Sequence, residues 1–205
     1  MNEEARNLWD DFDIIGIIGK THSGKTTLAN KIHHVLGHEV MSFAEYVRRD
    51  VANGWFGRDE AGSMARQKWA ELERENKEEL RPILQAWAHA RRTLDDEKYW
   101  VDELFSDMIM RGHRKVVIDD VRYPNEMLHI LERGGKIIRL YANDETLLER
   151  GASPEALQHP SENQLTHLTL DEIDYGDNCI TIPATAEPDK MWPLLLPMLQ
   201  GDEEE

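Results

Sequence analysis

The chain has 205 residues, 40% of them hydrophobic and 31% charged, with 24 Lys plus Arg against 40 Asp plus Glu and a formal net charge of −16. That length suits one α/β domain or a domain with a small inserted lid. The charge excludes a protein whose main task is to coat a nucleic acid or an anionic membrane, because the polyanion would be repelled over most of the surface.

Residues 1–13 and the last four residues carry four net negative charges each, which leaves −8 on the body from Ile14 to Gln200. Both ends are expected to be solvated, and a small anion can still bind wherever the body concentrates basic residues. The N-terminus lacks a basic region followed by an apolar stretch, and no apolar run is long enough to span a bilayer, so a reducing, cytoplasmic setting is expected. Ile14-Ile15-Gly16-Ile17-Ile18 is a continuous, largely β-branched run, the pattern of a strand buried on both faces of a parallel sheet.

Directly after it, Gly19-Lys20-Thr21-His22-Ser23-Gly24-Lys25-Thr26 fits G-x-x-x-x-G-K-[ST]. Leu28, Ile32 and Leu36, four apart, place a helix immediately behind the loop. Strand, glycine loop and helix in that order make an anion site, in which backbone N–H groups point inward and the positive end of the helix adds to them. Gly19, Lys20, Thr21, His22, Ser23, Gly24, Lys25, Thr26 and Thr27 are therefore nucleotide-binding candidates, with Lys25 for the β- and γ-phosphates and the Thr26 hydroxyl for Mg²⁺.

Glu39 to Phe43 reads as a short strand, followed by a helix through Ala44, Val47 and Val51. Glu60 to Trp100 reads as two or three helices interrupted at Pro82, and Tyr99 to Met110 as a further helix. Lys115-Val116-Val117-Ile118-Asp119-Asp120 is a second buried strand that ends in acid, which suits a metal-bound triphosphate. Strand alternation puts the Asp119 and Asp120 carboxylates on opposite faces, so one of them meets the metal unless the strand ends between them. Both are metal candidates, and Asp120 is assigned to catalysis.

Pro124 to Arg133 reads as a helix stopped by Gly134-Gly135, Lys136 to Leu140 as a third clear strand, and Asp144 to Arg150 as a helix. Gly151 to Asp177 is polar and reads as irregular. Ile180 to Ile182 is a last strand and Lys190 to Leu199 a last helix, despite Pro193 and Pro197. A single cysteine, Cys179, excludes an internal disulfide, and the nine histidines show no zinc-site spacing. Alternating strands and helices give a parallel sheet covered on both faces.

Asp120-Val121-Arg122-Tyr123-Pro124-Asn125-Glu126 resembles the phage-type deoxynucleoside monophosphate kinases, a branch of the P-loop kinases, as does the helix, Gly-Gly and strand that follow to Leu140. Ser42-Phe43-Ala44, Arg81-Pro82-Ile83-Leu84-Gln85, Tyr99-Trp100-Val101 and His159-Pro160-Ser161-Glu162 are similar to further family stretches, in family order, over about residues 14–182. The chain departs from the pattern at Ala88-His89-Ala90 and at Asn178 to Pro183, which bears on base selectivity.

The resemblance implies a three-layer α/β sandwich forming one kinase domain over 1–205, with a helical acceptor-binding region at about 44–112 and a lid at about 150–177. It implies transfer of the γ-phosphate of ATP, with Mg²⁺, to a deoxynucleoside monophosphate. The partners would be small molecules, with no nucleic-acid polymer and no membrane, and a homodimer is left open. A phage-encoded protein would work in the host cytoplasm. Lys25, Asp120 and Arg122 would be catalytic, and Arg81, Gln85, Arg91, Arg92, Trp100, Arg122, Glu126 and Arg150 would meet the acceptor or close over it. The residues alone leave two rivals: a P-loop kinase for another small acceptor, and an ATPase or switch module.

Overall fold

The computed structural model describes residues 8–57, 63–165, 176–184 and 188–200. They fall into a sheet unit, made from the chain up to Met41 and from Gly112 onward, and a helical unit, Ser42–Arg111.

The sheet unit holds β1 (Asp13–Ile18), α1 (Lys25–Leu36), β2 (Glu39–Met41), β3 (Lys115–Val121), α5 (Pro124–Leu131), β4 (Lys136–Tyr141), α6 (Asp144–Glu149), α7 (Pro154–Gln158), α8 (Pro160–Asn163), β5 (Cys179–Pro183) and α9 (Pro188–Gln200). The strands lie in the order β2-β3-β1-β4-β5, every pair parallel. The most apolar run in the sequence therefore forms the central strand, and Ile14, Ile15, Ile17 and Ile18 are all buried. On one face Ile15, Ile17, Val117, Ile138, Leu140 and Ile182 pack against Leu28 and Ile32 of α1 and Met191, Leu195 and Leu199 of α9. Pro193 and Pro197 lie exposed within α9, on the side where solvent satisfies the carbonyls they leave without a donor.

The other face has no side chain at Gly16. A Cβ there would come within 2.8 Å of the side chains of Ile130 and Ile137 and 3.1 Å of Val121, so α5 rests directly on the sheet. This α/β arrangement with helices on both faces agrees with the three-layer architecture expected from the sequence.

The register between β1 and β3 shifts at the two acids. Gly16 opposes Ile118 and Ile18 opposes Val121, so Ile17 faces Asp119 and Asp120 together. This is a bulge in β3, which breaks the two-residue period at the carboxyl end of the strand.

The helical unit contains α2 (Phe43–Phe56), α3 (Ser63–Leu94) and α4 (Tyr99–Met110). Asp50 of α2 binds both the Trp87 indole N–H and the Arg91 Nε of α3, each at 2.8 Å. Arg48 Nε reaches both Glu73 carboxylate oxygens at 3.0 Å, and the Tyr46 hydroxyl donates to Asp107 of α4 at 2.8 Å. The expected break at Pro82 is corrected: α3 runs through it, and the non-helical residue is Asn76 (φ −130°, ψ 33°). A proline ring crowds the carbonyl one turn back and offers it no N–H, so the distortion falls upstream of the proline. There Asn76 Nδ2 donates to Leu72 O at 2.9 Å.

Two further readings change. The stretch after Gly151 is not irregular throughout: Ser153 and His159 accept from the backbone N–H of Ala156 and Ser161 and start α7 and α8, each with proline at its first position. The acidic N-terminus is not all solvated tail, since Leu8–Asp11 forms a 3-10 turn and Asp13 opens β1. Residues 1–7, the tail 201–205 and residues 166–175 of the expected lid lie outside the described residues. Among the described residues no helix is long and apolar enough to cross a membrane.

Candidate functional site

The glycine loop leaves β1 after Ile18 and enters α1 at Lys25. Gly24, which caps the helix, has φ 93°, a conformation glycine adopts without steric cost. His22 also has positive φ, 61°, the kind of backbone strain found at ligand-binding loops. The first turn of α1 contains no acidic residue, so its positive end remains available to an anion. The Ser23 hydroxyl is fully buried with no hydrogen-bond partner among the described residues.

Lys25 is buried, and its Nζ donates to the carbonyls of Gly19 at 2.6 Å and Lys20 at 2.8 Å. Burial, reinforced by the nearby Arg122 guanidinium, pulls its pKa down to about 8 against the opposing pull of Glu162, Asp120 and Asp119. Thr26 Oγ1 donates to Asp119 Oδ2 at 2.7 Å. Of the two acids, Asp119 is thus the one that pairs with the loop threonine, while Asp120 acts on Lys25 through its charge. Burial first, and then the charge of Asp120, raises the pKa of Asp119.

Arg122 follows the bulge. Its backbone N–H and that of Tyr123 donate to Glu126 Oε2 at 2.9 and 3.1 Å, and Glu126 is buried. The structure therefore gives Glu126 the work of shaping the turn that aims Arg122. The Arg122 guanidinium pairs with Glu162 Oε1, and the other oxygen of Glu162 accepts the Thr21 backbone N–H at 2.7 Å. Burial alone would lower the pKa of Arg122, but Glu162 and Asp120 outweigh it and raise it.

A cavity of about 520 Å³ opens beside the loop, lined among others by Lys20, Arg122, Arg139, Tyr141, Asp144 and Glu162. Lys20 Nζ donates to Asp144 Oδ1 at 2.7 Å. Arg150, at the end of α6, donates to the Ala184 carbonyl at 2.8 Å, just beyond β5. Thr27 is exposed in the first turn of α1.

The remaining candidates belong to the helical unit. Arg81, Gln85 and Arg92 lie half-buried on α3. Arg91 is committed to Asp50 and Asp95 at 2.8 and 2.9 Å and lies over the rings of Trp87 and Tyr99. Trp100, an acceptor-site candidate by the resemblance, is a core residue: it is 1% exposed and spends its indole N–H on Ala88 O at 3.1 Å.

In the sequence Glu162 stands in a family motif without a role of its own, and Asp144 stands out only as the start of a helix. A proline-started helix turn carrying an acid was the available signal for the first; the second had none beyond its place at a helix start.

Residues 15–155 match the family model of an AAA domain, AAA_18. Among solved structures the chain is similar to an unliganded sugar kinase from Janibacter sp. HTCC2649, with 15% identity, 92% of this chain and 95% of that chain covered, and a TM-score of 0.52. It is also similar to a gluconokinase from Sinorhizobium meliloti 1021, with 14% identity, 92% and 91% covered, and a TM-score of 0.51. At these identities the likeness establishes the fold. No curated protein sequence matches the chain.

Proposed function

On the premise that the chain belongs to the AAA domain family matched over residues 15–155, we propose that it is an ATP-dependent phosphotransferase whose acceptor is a deoxynucleoside monophosphate. The carrying observation is a second fixed cation at the phosphate loop: Arg122 shares the Glu162 carboxylate with the Thr21 N–H. A module that only holds a nucleotide is served by the loop and Lys25. Transfer between two phosphates gains from a further cation beside the moving group, where charge spreads in the transition state.

An acceptor phosphate oxygen attacks the γ-phosphorus, the bond to the β,γ-bridging oxygen breaks, and ADP and the nucleoside diphosphate leave. Lys25 neutralises the β- and γ-oxygens, and Arg122 holds the acceptor or transferring phosphate through its planar fork. The Thr26 hydroxyl and Asp119 carboxylate are hard oxygen donors at 2.7 Å, a set that fits Mg²⁺, which keeps few protein ligands beside phosphate. Bound there, the ion neutralises phosphate charge. The deoxynucleotide acceptor is supported by the run from Asp120 to Glu126 and by the motifs around Ser42, Arg81 and Tyr99.

The test is ADP formation by purified protein with Mg-ATP and a panel of deoxy- and ribonucleoside monophosphates, with gluconate as a sugar-acid control. Turnover that depends on a deoxynucleoside monophosphate is expected, and Lys25→Ala should lower it by roughly a thousandfold. Acceptor-independent hydrolysis, or turnover with gluconate alone, overturns the proposal.

A further inference from the structure

Glu162 holds an unusual place for a carboxylate. One oxygen accepts the Thr21 N–H at 2.7 Å, and Thr21 lies inside the loop whose N–H groups are built to receive phosphate. The other pairs with Arg122, and Lys25 lies close enough to feel its charge. The side chain is only 7% exposed. A backbone N–H, a guanidinium and a neighbouring ammonium are the donors a phosphate would seek, and here a planar anion of the same sign holds the first two and acts on the third through its charge.

The placement is built from both sides. Glu162 sits on α8, started by Pro160 and capped by His159, whose Nδ1 accepts the Ser161 N–H at 3.2 Å and lies 2.8 Å from the Ser161 hydroxyl. Asn163 Nδ2 ties the same turn to Leu157 O at 3.2 Å and His159 O at 3.3 Å. Arg122 is fixed in turn through Glu126.

We propose that Glu162 is a tethered phosphate surrogate, and that a nucleotide phosphate and the Glu162 carboxylate exclude each other at the Thr21 N–H. The inference rests on the nucleotide reading of the loop and adds a competitor to it. The carboxylate carries one charge on two oxygens, while a polyphosphate brings several charges and more oxygens, so the nucleotide wins at sufficient concentration. Its entry transfers Arg122 from Glu162 to phosphate, which makes the arginine available only once the loop is filled. Free energy spent on breaking the Glu162 contacts is subtracted from binding.

The experiment is calorimetric titration of the full chain with Mg-ATP and, separately, with inorganic tripolyphosphate, for wild type, Glu162→Gln and Glu162→Asp. A hydrogen bond to a charged group has a net worth that corresponds to roughly tenfold or more in affinity, so both variants should bind both ligands about tenfold more tightly than wild type. The aspartate keeps the charge but is one methylene too short to span Thr21 and Arg122. If Glu162→Asp binds like wild type while Glu162→Gln binds more tightly, ordinary charge repulsion is at work and the surrogate is rejected. Equal or weaker binding by both variants also rejects it, because Glu162 would then belong to the nucleotide-filled site. Failure of wild type and variants alike to bind either ligand overturns the nucleotide reading along with it.

Discussion

Lys25 and Asp119 show how much a single side chain's surroundings matter here. Lys25 combines a buried stem with two carbonyl partners, an arrangement that loses little when a phosphate replaces the carbonyls. Asp119 accepts the Thr26 hydroxyl at the point where the β1–β3 register shifts. Asp119→Asn should therefore lower Mg²⁺-dependent turnover by about a hundredfold and raise the Mg²⁺ concentration needed for half-maximal rate, whereas Asp120→Asn should cost about tenfold. A magnesium titration of both variants checks the ranking, and the reverse order would return the metal to Asp120. The loop residues were legible in the sequence because their spacing is itself the chemistry. The choice between the acids was not, since it depends on a mismatch between two strands about a hundred residues apart in the chain. Glu162 was illegible for a related reason: it meets Thr21 across 141 residues, and no local pattern announces that meeting.

Elements were legible where periodicity and punctuation agreed. Tyr99–Met110 is helical over the span its pattern marked, and each apolar run became a strand. The proline in α3 misled because its effect is displaced toward the N-terminus, and the turns after Gly151 were missed although Ser-Pro and His-Pro each mark a helix start. Charged contacts between α2 and α3 also lie beyond sequence reading. They assign Asp50 a structural task, holding Trp87 and Arg91 together. Asp50→Ala should destabilise the chain by about 2 kcal/mol and Asp50→Asn by about half as much, because the amide oxygen can still accept from Trp87. Urea unfolding followed by tryptophan fluorescence measures both. An unchanged midpoint in Asp50→Ala would show that Arg91 is held by Asp95 and the aromatic rings alone.

At the scale of the whole chain, the class of fold followed from alternating strands and helices, but the strand order did not, because short parallel strands carry no label for their neighbours. The amino edge of the sheet supplies a pH signature. Burial pushes the Asp13 carboxyl up, yet the hydrogen bond from His38 and the charges of His38, Lys136 and Lys115 outweigh it and hold the group below its ordinary 3.8. A carboxylate whose folded pKa is depressed contributes stability that is complete above the unfolded value and disappears as pH falls through the folded value. Wild type should thus melt about 2–4 °C above Asp13→Asn at pH 6, with the gap closing below about pH 4. A gap that stays constant from pH 6 to pH 2.5 would remove Asp13 from the acid response.

Gly16 carries a consequence for descent. A Cβ there would meet the Cδ1 ends of Ile130 and Ile137 at 2.8 Å, and overpacking that forces such ends off their rotamers costs about 1–3 kcal/mol. Positions 16, 130 and 137 are therefore coupled through the ends of two isoleucine side chains. A lineage that acquires alanine at 16 must either re-seat the Cδ1 ends of Ile130 and Ile137 or shed volume there, so substitutions at these three sites should interact rather than add.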